Sequence, residues 1–180
     1  YGVSVERDRQ RGSEAHSTAV IDDTNSSEVW SGFRVARRAR ILSLKYAYDS
    51  ATCWIEAAHD GYRTLPGRPV HYRWWFLENN CLSVVDEIKG EQEHFVDILL
   101  PLHPEFTPTK EAGNQVHLAS DSGASLRVYI DPQTKYHIEP TTWHPRFGCS
   151  ETTWRIRGTW SGTLPITLRT RITWPELKIT

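Results

Sequence analysis

Residues Leu164–Trp174 alternate with a period of two, and no other property of the sequence narrows its fold as much. Leu164, Ile166, Leu168, Ile172 and Trp174 fall on one parity, and Thr167, Arg169, Arg171 and Thr173 on the other. Thr153–Trp160 repeats the pattern, with Trp154, Ile156 and Trp160 opposite Thr153, Arg155, Arg157 and Thr159. Successive side chains of a strand point to opposite faces, so this spelling predicts half-buried antiparallel strands, apolar inward and polar outward. Further strands are predicted at His16–Asp22, Phe33–Leu44, Cys53–His59, Val70–Leu77, Leu82–Ile88, Val96–Leu102, Gln115–Leu118, Leu126–Ile130 and His137–Pro140. Glu78-Asn79-Asn80, Lys89-Gly90 and Asp121-Ser122-Gly123 carry hairpin-turn chemistry, and Pro104–Gly113 reads as a flexible loop. No apolar stripe at helical spacing lasts three turns. Many short strands without interposed helices predict an all-β fold: an antiparallel β-sandwich of the large two-sheet type, one domain over residues 1–180.

Charge and composition exclude several function classes. Lys and Arg number 21 against 22 Asp and Glu, a net charge of −1, which argues against a dedicated nucleic-acid surface. No apolar run approaches the roughly 20 residues that span a bilayer, and no signal peptide opens the sequence. The chain begins at Tyr1 and contains no Met, so it is read as a piece of something longer. Cys53, Cys81 and Cys149 are far apart and show no zinc-ribbon spacing, so they read as small buried hydrophobes, with a single disulfide left open.

Candidate chemistry is sparse. His16 opens an apolar strand, where a neutral imidazole serves as metal ligand, general base or solvated strand-end residue; spacing alone does not choose, and no second ligand accompanies it. His103-Pro104 and His144-Pro145 each close a strand, and either converge on a site or orient loops at a sheet rim. Arg63 and Arg68 sit in the Gly- and Pro-punctuated segment 60–68 and offer planar donor forks for carboxylate or sulfate. Eight Trp residues are more than one core needs, and Trp74-Trp75 must face opposite ways. The surplus fits either an aromatic platform for sugar rings or packing against a further domain. In the second case, an apolar surface should lie exposed.

The segments Arg11–Asp22 and Ser26–Ala39 resemble the heparinase II/III-like family of polysaccharide lyases, specifically its C-terminal β-sandwich domain. The resemblance continues through Ala58-His59-Asp60-Gly61-Tyr62, Leu65–His71, Val85-Asp86-Glu87-Ile88, Leu100–Glu105 and Arg146-Phe147-Gly148. It implies a parent in which an α/α-toroid precedes the sandwich and the active site lies between them. The implied reaction is β-elimination of an anionic, uronic-acid polysaccharide, with neutralisation of the carboxylate, a base for the C5 proton and an acid for the leaving oxygen. It further implies that His16 is a zinc ligand in the full-length parent, the other ligands lying upstream, so that tight zinc binding by this chain alone is not expected. Ser17 replaces the Asn that usually follows that His. Tyr1 is a catalytic candidate through its match to the end of a Tyr-rich stretch, Arg63 and Arg68 are substrate-binding candidates, and a periplasmic or secreted parent is expected. The alternative is a domain that binds glycan or supports its partner without chemistry of its own.

Overall fold

The computed structural model describes residues 5–146 and 148–176. Helix α1 spans Val5–Arg11 and is followed by a 3-10 turn at Ser13–Ala15. Fourteen strands follow: β1 (Ala19–Ile21), β2 (Val29–Trp30), β3 (Arg34–Val35), β4 (Ile41–Tyr48), β5 (Thr52–His59), β6 (Val70–Glu78), β7 (Cys81–Lys89), β8 (Glu93–Pro101), β9 (Phe106–Glu111), β10 (Gln115–Ser120), β11 (Ser125–Ile130), β12 (Lys135–Trp143), β13 (Glu151–Thr163) and β14 (Ile166–Thr173). They form a four-stranded sheet of order β1-β8-β13-β12 and an eight-stranded sheet of order β4-β5-β6-β7-β14-β11-β10-β9, with β2-β3 as a separate ribbon. All pairings between these strands are antiparallel. The predicted all-β sandwich is the observed architecture. No described helix is long and apolar enough to cross a membrane.

Side chains from both sheets interlock in two core clusters. One joins Ala19, Ile21 and Val96 of the small sheet to Ile88 and Leu168 of the large one, with Tyr62 and Leu164 closing it. The other sets Ile156 of the small sheet against Val116, Leu118, Val128 and Ile130. The period-two spelling of β14 explains its share: Leu168 is buried, while Arg169 of the opposite parity is exposed.

Four expectations need correction. Phe33–Leu44 is not one strand, because residues 36–40 leave the β2-β3 ribbon, with Ala36 and Arg37 still bonded to Glu28, before β4 begins at Ile41. Residues Pro104–Gly113 are not a free loop: Phe106–Glu111 forms the edge strand β9, where Pro108 opposite Leu118 is tolerated because an edge needs donors on one side only. Lys89-Gly90 does not close a hairpin, since the chain there passes from the large sheet (β7) to the small one (β8). Strand β13 is not polar outward: Thr153 and Arg155 are buried while Trp154 is exposed. The first turn of the chain explains this, because Arg155 donates to the Glu14 carbonyl and Arg157 to its carboxylate, so the outer face of β13 is covered. The three cysteines are free and half-buried.

The large sheet overhangs the small one. On β4, Leu44, Tyr46 and Tyr48 are 61%, 68% and 77% exposed, and Ile55 of β5 and Leu77 of β6 share their face by register. Half-buried Trp75 lies on the same face, opposite Ile55. Trp74 points the other way and stacks on Tyr72, with ring centroids 6.0 Å apart. An apolar surface is therefore exposed, made more of Tyr and Leu than of Trp.

Candidate functional site at the His16 rim

His16 is not the first residue of a strand, as the apolar spelling suggested. It closes the 3-10 turn Ser13–Ala15, donating its backbone N–H to the Ser13 carbonyl, and its extended backbone leads into β1. The turn is fixed from outside: the Ser13 N–H donates to Asn25 Oδ1 at 2.7 Å, and the Ser26 N–H donates to Ser13 Oγ at 3.0 Å. The His16 side chain is exposed and makes no side-chain hydrogen bond among the described residues. It borders a cavity of about 230 Å³, shared with Arg9 and Gln10 of α1, Trp143, His144 and Thr142.

Hydrogen bonds and ion pairs tie the walls of this cavity together. The His144 ring contacts Thr142 Oγ1 at 3.0 Å, Glu6 Oε1 at 2.9 Å and the Cys149 carbonyl at 3.1 Å. Arg9 grips the Glu6 carboxylate and holds it down to about 2 by hydrogen bonding, with further donation from Thr142. His103 meets the Trp143 ring edge-on at 4.6 Å, so the two His-Pro strand ends do converge, through Trp143. What the rim offers a ligand is one imidazole without a side-chain partner among the described residues and one aromatic ring, the Arg9 guanidinium being taken up by Glu6 and Thr141. Alone, this donor set does not fit a zinc site: no group of three or more His, Cys, Asp or Glu converges among the described residues, whereas a catalytic zinc takes three protein ligands. Among the described residues no second donor joins His16.

Beneath the rim lies a buried polar network that the sequence did not announce. Arg73 donates to the Ser17 carbonyl at 2.5 Å, one residue from His16. The same guanidinium clasps Asp86, Nε to Oδ1 at 2.6 Å and Nη2 to Oδ2 at 3.0 Å, and Asp86 also contacts His71 Nε2 at 2.6 Å. His71 Nδ1 lies 3.2 Å from His59 Nε2, and His59 Nδ1 accepts the Gly61 N–H at 3.1 Å. These partners assign the tautomers. Because His59 Nδ1 accepts, its proton is on Nε2 and is given to His71 Nδ1; the His71 proton is then on Nε2 and is given to Asp86. Burial, with His71 and Arg73 alongside, lowers the His59 pKa to about 4. Burial alone would raise the Asp86 carboxyl, but Arg73 and His71 outweigh it and hold it low. The signal that could have found this group is parity. His59, His71, Arg73 and Asp86 are polar residues on the inward parity of otherwise apolar strands, and the register sets His59 beside His71 and Arg73 beside Asp86.

The family model for heparinase II/III-like proteins, C-terminal region, matches residues 1–174. The chain belongs to the heparinase II/III-like C-terminal family. Among solved structures, the heparan sulfate lyase HepC from Pedobacter heparinus superposes with a TM-score of 0.77 at 16% identity, covering 100% of this chain and 28% of that one. A heparinase III gene product gives 0.75 at 14% identity over 98% of this chain and 27% of its own, and another heparinase III gives 0.66 at 17% over 91% and 24%. At these identities the likeness is one of fold, and the chain spans under a third of the length of each of these three relatives. No curated protein matches the sequence.

Within this heparinase-like domain the other sequence candidates do not gather at His16. Arg63 is exposed at a separate groove formed with residues 36–40. Arg68 is exposed too, with a left-handed φ of 53° in the turn before β6, and lines neither the groove nor the His16 cavity. Tyr1 and Phe147 lie outside the described residues.

Proposed function

We propose that this domain is the β-sandwich portion of a polysaccharide lyase that cleaves a uronic-acid-containing glycan by β-elimination, the glycan being a glycosaminoglycan, an alginate or an exopolysaccharide. In this reading an α/α-toroid of the same longer chain supplies the facing wall of the cleft. The observation that carries the proposal is the state of His16: solvent-facing, without a side-chain partner among the described residues, and set between Ser13 and Ser17, whose backbone groups are hydrogen-bonded from elsewhere, in a chain of the heparinase II/III-like C-terminal family. A side chain unused by its own domain, on a backbone held in place on both sides, is what a site shared with another domain requires. The apolar face of β4-β6 supports the same partner, since an exposed patch of this kind is unusual on a monomer.

In the cleft, Trp143 would meet the apolar face of a sugar ring, while His16 contributes one zinc ligand to a site completed by residues of the longer protein. When bound there, zinc would neutralise negative charge at the reacting uronate. Arg73 holds the Ser17 carbonyl, and through it the His16 backbone, so the ligand does not wander. The test is His16→Ala in the longer protein, following zinc content and the ultraviolet absorbance of the unsaturated uronate. Loss of both, with an unchanged unfolding transition, is the expected result. Full zinc occupancy and full elimination in the variant would return His16 to a solvated strand-end residue.

A further inference from the structure

A second charged feature lies apart from the His16 cavity. Residues 36–40, between β3 and β4, and the turn after β5 enclose a groove of about 570 Å³ lined by Arg37, Arg38, Arg40, Arg63, Thr64 and Asp60. Its backbone is tied across the groove: the Arg40 N–H donates to Asp60 Oδ1 at 2.7 Å, the Asp60 N–H to the Arg40 carbonyl at 3.1 Å, and the Arg63 N–H to the Asp60 carbonyl at 3.0 Å. Arg37 spends its guanidinium on the Gly61 carbonyl at 2.8 Å, which fixes the side chain without neutralising it. The side chains of Arg38, Arg40 and Arg63 are exposed and make no hydrogen bond or ion pair among the described residues. Four guanidinium groups thus face one carboxylate, in a protein whose total charge is −1.

Clustered like charges repel, and a chain with as many acids as bases could have interleaved them here. It does so on the small sheet, where Arg155 and Arg157 share Glu14, Glu139 and Asp97. The groove is left uncompensated on a fixed backbone. Guanidinium forks of this kind match the two-oxygen edge of a sulfate or carboxylate, and several together match anions repeated along a chain. We propose that this groove is a second anion-binding site of the domain, distinct from the His16 cavity, that takes the sulfate or carboxylate groups of a polyanionic glycan. The proposal rests on the reading of the substrate as an anionic glycan, and it adds a place where that chain is held away from the reacting bond.

The test uses the 180-residue chain itself, so that it does not depend on elimination. Binding is measured by calorimetry to size-matched oligosaccharides, one sulfated, one carrying only uronate carboxylates and one neutral, with a single-stranded oligonucleotide as a polyanion of another class. The wild-type chain is compared with Arg38→Gln/Arg40→Gln/Arg63→Gln and with Lys135→Gln, which removes one exposed cation of β12 away from the groove. Because the side chains of the three arginines bond to nothing among the described residues, the triple variant should keep the wild-type melting temperature. It should bind the anionic oligosaccharides at least tenfold more weakly and with a shallower salt dependence, while Lys135→Gln binds as wild type does. Preference for the sulfated ligand assigns the groove to sulfate, and equal affinity for both assigns it to carboxylate. The proposal is overturned if the wild type binds neither anionic oligosaccharide, if the oligonucleotide binds as tightly as they do, or if the triple variant binds unchanged. A chain that binds through the groove while the longer protein shows no elimination would retain this site and overturn the lyase reading alone.

Discussion

Removing Asp86 should cost more than any other single polar substitution in this domain. Its carboxylate is 1% exposed and receives three donors, two from Arg73 and one from His71, and Arg73 is itself 7% exposed. In Asp86→Leu the guanidinium remains buried without a counter-charge, a situation that costs about 3–5 kcal/mol. Against a domain stability of about 5–15 kcal/mol, that is a large fraction of the whole. The reverse deletion, Arg73→Met, strands the carboxylate with His71 alone and should cost a similar amount. The double variant removes both charges and fills their space with apolar groups, so it should be less destabilised than the sum of the singles by at least about 2 kcal/mol. Urea unfolding followed by Trp fluorescence measures all four corners of the cycle. Single variants that each lose less than about 1 kcal/mol, or a strictly additive double variant, would refute the argument that this pair is desolvated and mutually dependent.

Three further outcomes follow from the same geometry. In Gly61→Ala, a Cβ would lie 2.7 Å from the Ser26 carbonyl oxygen and 2.9 Å from His59 Nδ1, so the variant should unfold about 1–3 kcal/mol earlier in denaturant; wild-type stability would show that the turn can shift. Tyr62→Phe removes the 2.7 Å bond to the Ala19 carbonyl from a fully buried ring and should cost about 1–2 kcal/mol by the same assay, whereas a neutral result would mean that bond is not made. Stability should fall on acidification in two steps. The unfolded chain protonates His59 near 6.5 and the folded one only near 4, so that contribution is complete above the first value, is lost as pH falls to the second, and amounts to at most about 3 kcal/mol. Glu139, which burial alone would raise but Arg155 and Arg157 hold at about 2, adds a second loss as pH falls from 4.5 toward that value. A denaturation midpoint that is flat from neutrality to pH 4 would contradict the first step.

The alternation of Leu164–Trp174 and its fellows was enough to predict strands and a sandwich, because burying one face of a pleated sheet forces that spelling. It failed where a second layer covers the outer face, as on β13, since Arg155 is spelled as a solvent residue and becomes buried only when Glu14 lies over it. It failed again at β9, where an edge strand accepts a Pro that central pairing would forbid. His16 was visible as a candidate through its motif, but its freedom from partners was not, because that depends on Asn25, Ser26 and Arg73 arriving from elsewhere. The same holds for the groove. Arg63 was singled out, yet Arg38 and Arg40 become its neighbours only because Asp60 joins the 36–40 segment to the turn after β5. Long-range pairing leaves no local trace in a sequence.

The central claim is that this domain holds half of a cleft. Its most direct test is to incubate the 180-residue chain, and a longer protein in which the proposed helical domain precedes it, with the same panel of uronic polysaccharides, and to follow the absorbance of the unsaturated product. The account predicts product from the longer protein on at least one anionic glycan and none from the chain alone. Product from the isolated chain, or a longer protein inactive on every member of the panel, would contradict it.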